Sequence, residues 1–220
     1  MQDWIAVPDW PVVGAFALAG LVLLVTPGPD MTLMLSRTLA KGRAAGMACT
    51  TGAMTGIVVH TLLAALGISA LLAASPRAFA VLKVAGALYL AWLAVQALRT
   101  GTVGGLDLAA APGPGRRSGL WRDYLTGVGI NLLNPKVVLF FVTFLPQFVT
   151  AGDPQAAGKL LFLGLLFVAM ALPSLFAMVL VADRFARALT SNPHVARAID
   201  IAFATIFGAF AVRILLARAD

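Results

Sequence analysis

The stretch that decides the fold is Thr26-Pro27-Gly28-Pro29-Asp30, which interrupts a long apolar run. Two prolines flanking a glycine do not fit inside a regular helix, because each proline lacks an amide hydrogen and clashes with the carbonyl four residues earlier. Residues 12–25 before the stretch and residues 31–35 after it nevertheless have a helical composition. The sequence therefore predicts one membrane span broken into two half-helices, with Thr26 capping the second half and Pro27 as its first residue.

A carboxylate follows this break directly. Non-helical backbone at membrane depth is tolerated only against protein or a water-filled cavity. A broken span beside an ionisable residue is typical of a transport site. Two roles are open for Asp30: it contributes to such a site, or it places a negative charge at the positive end of the second half-helix.

Composition places the chain among membrane proteins with several spans. Of its 220 residues, 60% are hydrophobic and only 11% are charged, outside the range of soluble domains. The net charge of +7 is explained by positive residues at span ends, so nucleic-acid binding is not expected. The single cysteine, Cys49, excludes an intramolecular disulfide and a CxxC pair. No metal or other cofactor is expected.

Six apolar segments predict six spans, at residues 11–40, 44–75, 79–98, 124–149, 160–182 and 198–217. The fourth is interrupted by Asn134-Pro135-Lys136, and residues 183–197 are predicted to form a basic loop. Three spans in each half insert the halves in opposite senses, as in many secondary transporters. The predicted fold is an all-α membrane protein with two inverted three-helix repeats, residues 1–99 and 123–220, joined by a cytoplasmic connector at 100–122.

The distribution of basic residues predicts the orientation. Ten lie at span ends on one side, and four lie on the other. The first group is Arg37, Lys41, Arg43, Arg99, Arg116, Arg117, Arg122, Arg184, Arg187 and Arg197, and the second is Arg77, Lys159, Arg213 and Arg218. The richer side is expected to be cytoplasmic, which places both termini outside.

Several motifs in order resemble a known family. They are Thr26-Pro27-Gly28-Pro29, the set Gly52, Gly56, Val59 and His60, Lys83-Val84-Ala85-Gly86-Ala87-Leu88-Tyr89-Leu90, Asn131-Leu132-Leu133-Asn134-Pro135-Lys136, and Phe144-Leu145-Pro146-Gln147-Phe148. Together they are similar to the lysine exporter and homoserine/threonine exporter family of bacteria, over nearly the whole chain. The resemblance implies a six-span inner-membrane exporter of amino acids or related small molecules, driven by the proton gradient.

Three ionisable residues fall within about one helical turn of the membrane midplane: Asp30, His60 and Lys136. Two roles are open for Lys136. It contributes to the transport site, or it pairs with Asp30 and so stabilises the fold, and the two roles are compatible. His60 is a proton relay or a neutral histidine hydrogen-bonded across a helix interface. The amide of Asn131 binds substrate or satisfies the backbone that Pro135 leaves open.

These residues suggest a mechanism. A zwitterionic amino acid would place its carboxylate at the half-helices that restart after Thr26 and Asn134. Its ammonium group would meet Asp30 and the carbonyls freed at Leu23, Val25 and Asn131, and Lys136 would balance the charge. Proton entry at Asp30 or His60 would then drive release as the two halves rock. The predicted binding residues are Thr26, Pro27, Gly28, Pro29, Asp30, His60, Asn131, Asn134, Pro135 and Lys136.

Other functions remain open from the sequence. The chain could export a different metabolite or a cation, or it could be a structural membrane protein without transport, although the latter has little use for two charged, broken spans. No enzymatic activity is expected, because His60 lacks an evident nucleophile partner. The expected partners are an amino acid, protons and the lipid bilayer. The pair Gly52 and Gly56 permits close helix approach, within the protomer or in a homodimer.

Overall fold

The computed structural model describes residues 6–101, 119–150 and 153–216, and every regular element in these ranges is helical. The helices are α1 (Trp10–Val25), α2 (Pro29–Lys41), α3 (Arg43–Leu63), α4 (Ser69–Ala74), α5 (Pro76–Thr100), α6 (Leu120–Leu133), α7 (Pro135–Leu139), α8 (Ala156–Leu180), α9 (Ala182–Ser191) and α10 (Pro193–Leu216). A π-helical turn (Ala64–Ile68) joins α3 to α4. A π-helical turn (Phe140–Phe144) and a 3₁₀ turn (Leu145–Phe148) extend α7. Most of the predicted connector, residues 102–118, lies outside the described residues.

The helices account for six spans. Four are long and apolar enough to cross a membrane: Arg43–Leu71, Arg77–Thr100, Ala156–Leu180 and Pro193–Leu216. Two further spans are bent pairs: α1 and α2 meet at 50°, and α6 and the Pro135–Phe148 segment meet at 52°. Counting each bent pair as one span confirms the predicted all-α membrane fold with broken first and fourth spans.

The first break differs from the prediction in its cap. Thr26 ends α1 instead of starting α2, and its hydroxyl donates to the carbonyl of Val22 at 2.6 Å. Gly28, in extended backbone, is the cap of α2, and Pro29 is the first helical residue. The prediction that Thr26 caps the second half-helix, with Pro27 at its start, is therefore wrong. Two prolines offer two possible restarts, and the helix uses the later one.

The second break agrees with the prediction. Asn134 caps α7, where its side-chain oxygen accepts from the amide of Lys136 at 3.0 Å, and Pro135 is the first helical residue. A proline at this position costs nothing, because the first amides of a helix have no partner within it.

Residues 183–197 do not form the predicted loop. They belong to α9 and to the start of α10, which begins at Pro193. Ala182 and Ala186 are buried four residues apart, whereas Arg184 and Arg187 are exposed. Helix α9 is thus amphipathic: its apolar face packs against the protein, and its basic face is exposed.

The closest helix contact joins the two halves of the chain at α3 and α6. A Cβ at Gly52 would overlap the backbone carbonyl of Tyr124, and one at Gly127 would overlap the carbonyl of Cys49. Gly56 packs in the same way on the side chain of Asn131. The Gly52 and Gly56 face is therefore used within the protomer and is not available for a homodimer.

An aromatic core fills one end of the bundle beside the second break. Phe16, Phe144 and Phe207 are almost completely buried. Phe144 lies 5.2 Å from Phe207 and 6.3 Å from Phe16 between ring centroids. This core ties α1, the end of the fourth span and α10 together, and it leaves the two breaks adjacent to one another.

Candidate functional site

The two breaks face each other across a small cavity in the middle of the bundle. The cavity volume is about 70 Å³. Its polar lining comes from both halves of the chain: Thr26, Gly28 and Asp30 from the first break, and Asn134 and Lys136 from the second. We call it the central cavity.

Lys136 reaches from the second break to the first. Its ammonium group donates to the carbonyl oxygens of Thr26 at 2.6 Å and Leu23 at 3.1 Å. Pro27 cannot supply the amide hydrogen that the Leu23 carbonyl would receive in a continuous helix. Lys136 therefore replaces a missing helical donor and satisfies the carboxyl end of α1, where the helix dipole favours a positive charge.

Asp30 is held by Asn131 from the other half of the chain. Its Oδ2 accepts a hydrogen bond of 2.6 Å from the side-chain amide of Asn131, which is completely buried. Its other oxygen, Oδ1, accepts no hydrogen bond from the described residues. Asp30 and Lys136 form no direct ion pair among the described residues, although their charges still interact with one another across the site. The amide of Asn131 spans the two breaks.

His60 lies behind this pair. Its Nε2 is 3.4 Å from the carbonyl oxygen of Asn131, and its ring stacks on Phe141 at 5.8 Å between centroids. That carbonyl also accepts a hydrogen bond of 3.1 Å from the backbone amide of Asn134, so the loss of the amide hydrogen at Pro135 does not leave it open. His60 is buried and does not line the central cavity. The carbonyls of Leu23 and Asn131, predicted to receive a substrate ammonium group, are thus already contacted by Lys136 and His60.

The predicted residues divide into three groups. Five line the central cavity: Thr26, Gly28, Asp30, Asn134 and Lys136. Two support them from behind: Asn131 and His60. Three prolines create the breaks without lining the cavity: Pro27, Pro29 and Pro135.

The apolar wall of the cavity was not predicted from the sequence. Met34 and Phe140 line the cavity. Each lies four residues after a polar member of the site, Asp30 and Lys136 respectively, and so shares its helix face. That spacing was the signal available in the sequence.

A second polar cluster, also missed, ties α2 to α6 away from the cavity. Asp123, which is 1% exposed, accepts charged hydrogen bonds from Arg37 at 2.8 Å and from Lys41 at 3.0 Å. These residues lie near the end of α2 and the start of α6, at the end of the bundle predicted to face the cytoplasm. Among the described residues, no group of three or more histidine, cysteine or acidic side chains could hold a metal ion.

Comparison with known proteins finds sequence relatives over most of the chain. Residues 21–218 match the model of the family described as LysE type translocator. The chain is 30% identical to the homoserine/homoserine lactone efflux protein of Salmonella typhimurium over 193 residues, 88% of this chain and 90% of that protein. It is 27% identical to the threonine efflux protein of the same organism, over 92% and 96% of the two chains. It is 31% identical to the leucine efflux protein of Klebsiella pneumoniae, over 64% and 66%. No solved structure matches the chain.

Proposed function

The chain belongs to the LysE type translocator family, and on this premise we propose that it exports amino acids, or closely related small molecules, across the bacterial inner membrane. The names of three relatives, which refer to homoserine, threonine and leucine efflux, support this substrate class. The observation that carries the proposal is the central cavity, where a carboxylate and an ammonium group from two broken spans face the same space.

The cavity has groups for both charges of an amino acid. The substrate ammonium group binds Oδ1 of Asp30, the carboxylate oxygen without a partner in the described residues. The substrate carboxylate binds the amino end of α2, whose first amides lack helical acceptors. Lys136 donates two hydrogen bonds to carbonyls and retains a third proton for the same carboxylate.

Substrate side chains contact the apolar wall around Met34 and Phe140. The present volume of about 70 Å³ is well below the roughly 300 Å³ at which ligand pockets usually begin. Substrate entry therefore requires the cavity to widen, by rocking of one three-span repeat against the other. The contacts of α3 with α8 and of α5 with α10 support this arrangement, because each joins corresponding spans of the two halves.

Coupling to protons follows from Asp30. Protonation of Asp30 removes the negative charge that holds the substrate ammonium group, so a proton taken up from outside releases the substrate there. His60 acts through Asn131, whose carbonyl it contacts and whose amide holds Asp30. A homodimer, if it forms, uses a surface other than Gly52 and Gly56.

The test is efflux from proteoliposomes loaded with a panel of radiolabelled amino acids, with and without a pH gradient. At least one amino acid should leave faster with the gradient. Asp30→Asn should abolish that acceleration without changing the melting temperature by more than a few degrees. Asp183→Asn, which changes an exposed acid on α9, is the matched control and should behave as the parent chain does. Failure to transport any amino acid would refute the substrate class, and full gradient response in Asp30→Asn would refute the coupling role.

A further inference from the structure

A second, larger cavity opens at the end of the bundle where α1 begins and α10 ends. Its volume is about 570 Å³, and its walls come from α1, α5, the end of the fourth span and α10. We call it the vestibule. The polar and aromatic residues that matter for its chemistry are Lys83, Gln147, Phe148, Phe210 and Arg213. The Arg37–Asp123 ion pair lies at the opposite end of the bundle.

The vestibule carries two positive charges that no acidic side chain among its described lining residues balances. Lys83 makes one long hydrogen bond, to the carbonyl of Val149 at 3.4 Å, and its ammonium lies 5.7 Å from the ring centre of Phe79. Arg213 has no hydrogen bond or ion pair within the described ranges. A cavity lined by one sign of charge attracts small ions of the opposite sign.

Gln147 adds an unused acceptor beside these cations. Its amide nitrogen donates to the carbonyls of Thr143 at 2.7 Å and Lys83 at 3.2 Å, which fixes the orientation of the side chain. Its oxygen is buried and accepts no hydrogen bond from the described residues. A buried acceptor without a donor is unfavourable. A shift of the side chain that turns this oxygen towards the vestibule would let a ligand donate a hydrogen bond to it.

A column of aromatic rings separates the vestibule from the central cavity. Phe140 lines the central cavity, whereas Phe148 and Phe210 line the vestibule. Phe144 lies between them, with ring centroids 5.0 Å from Phe140, 5.0 Å from Phe148 and 4.9 Å from Phe210. The two cavities therefore lie on opposite sides of one cluster of packed rings.

We propose that the vestibule is a second binding site for zwitterionic amino acids, which an exported molecule occupies after it passes the aromatic column. The carboxylate binds Lys83 and Arg213, and the ammonium group donates to the side-chain oxygen of Gln147. The identity of the ligand rests on the proposed export function. The presence of two cations and one acceptor in the lining of the vestibule does not depend on that function.

The test measures binding, not transport. Val84 lines the vestibule, so a Val84→Cys variant in detergent reports on occupancy through its rate of reaction with a neutral maleimide. The parent chain, whose single cysteine Cys49 is 2% exposed, gives the background. L-threonine at about four times its Kd should slow labelling about fivefold, because about one-fifth of the sites then remain empty. L-threonine methyl ester, which lacks the carboxylate, should not slow it.

Substitutions in the Val84→Cys chain test whether protection by threonine arises in the vestibule. In the Val84→Cys chain, Lys83→Gln and Arg213→Gln should each weaken protection by threonine about tenfold, as expected for loss of one charge-assisted hydrogen bond. Arg77→Gln, an exposed cation on the same helix outside the vestibule lining, should not. Asp30→Asn, which disables the central cavity, should leave protection intact.

The outcomes separate this proposal from the proposed function. Protection that disappears in Asp30→Asn would mean that threonine acts from the central cavity, and the vestibule site would be refuted. Slowing by phosphatidylglycerol but not by threonine would assign the vestibule to lipid phosphate and would also refute it. Efflux without any threonine protection would overturn the vestibule alone. Protection in a chain that transports nothing would support the vestibule and overturn only the export function.

Discussion

Lys136 should stabilise the protein mainly through its hydrogen bonds at the first break, and less through its charge interaction with Asp30. The substitution Lys136→Met removes the hydrogen bonds to Leu23 and Thr26 and keeps a side chain of similar length. Hydrogen bonds from a charged donor contribute about 1.5–3 kcal/mol each, so their loss costs about 3–6 kcal/mol. Removing a charged ammonium group from the centre of the bilayer stabilises the protein by about 3 kcal/mol. The difference is about 0–3 kcal/mol, and we expect Lys136→Met to lower the free energy of unfolding by about 1.5 kcal/mol, the middle of that range.

A double-mutant cycle separates this role from charge pairing. Because no direct ion pair joins Asp30 to Lys136 among the described residues, Asp30→Asn and Lys136→Met should couple by less than about 1 kcal/mol. Arg37 and Asp123 provide the reference, since their ion pair measures 2.8 Å and Asp123 is 1% exposed. Arg37→Gln and Asp123→Asn should couple by about 1–3 kcal/mol.

The assay is reversible unfolding in mixed micelles with increasing dodecyl sulfate, followed by the fluorescence of the four tryptophans. Each cycle needs the parent, two single variants and the double variant under the same conditions. A Lys136→Met variant as stable as the parent would refute the role at the carbonyls of α1. Coupling between Asp30 and Lys136 larger than the reference coupling would favour direct pairing of the two charges, one of the two roles that the sequence left open for Lys136.

Three further predictions follow from other contacts. Gly56→Ala should lower the free energy of unfolding by about 1–3 kcal/mol, because its methyl group overlaps Asn131; Gly129→Ala, with open space around it, should not, and equal losses would contradict this. Burial alone would raise the pKa of Asp153. The hydrogen bond and the positive charge of Lys159 on α8 outweigh that effect and hold this pKa below its ordinary value. Asp153→Asn should therefore lower the melting temperature at pH 7, where the carboxylate is ionised in both states. The difference should shrink as the pH falls below about 4 and should vanish only below the depressed pKa of the folded state, where the carboxylate is protonated in both states; a pH-independent difference would argue against the ion pair. In a cysteine-free variant, a cysteine introduced within 100–122 should react with impermeant reagents only from the cytoplasm, and labelling from outside sealed cells would reverse the orientation.

The sequence by itself determined where the helices break and how many spans there are. Both follow from local chemistry. Pro27 and Pro29 cannot continue a helix, and Asn134 followed by Pro135 caps a new one, whatever surrounds them. Span length follows equally directly from the run of apolar residues that a bilayer requires. For the same reason, the ionisable residues at membrane depth could be selected as candidates before any contact was known.

Local rules are less exact where they offer two equivalent solutions. At the first break, Thr26 with Pro27 and Gly28 with Pro29 are both acceptable starts for α2, and the sequence gives no reason to prefer the second. The helical α9 was missed because basic residues were interpreted by charge, whereas its apolar face is visible only from the spacing of Ala182 and Ala186.

Only the tertiary structure decided which side chains form hydrogen bonds with which distant carbonyl and carboxylate groups. Lys136 donates to a carbonyl 113 positions away, and Asn131 donates to Asp30 across 101 positions. An ammonium group deep in the bilayer needs acceptors, and both the carboxylate of Asp30 and the open carbonyls of α1 satisfy that need. The choice between them depends on how α6 and α7 are placed against α1 and α2, which the close crossing of α3 and α6 at Gly52 constrains. That crossing is set by the shapes of two helices far apart in the chain, so no local pattern of residues reveals it.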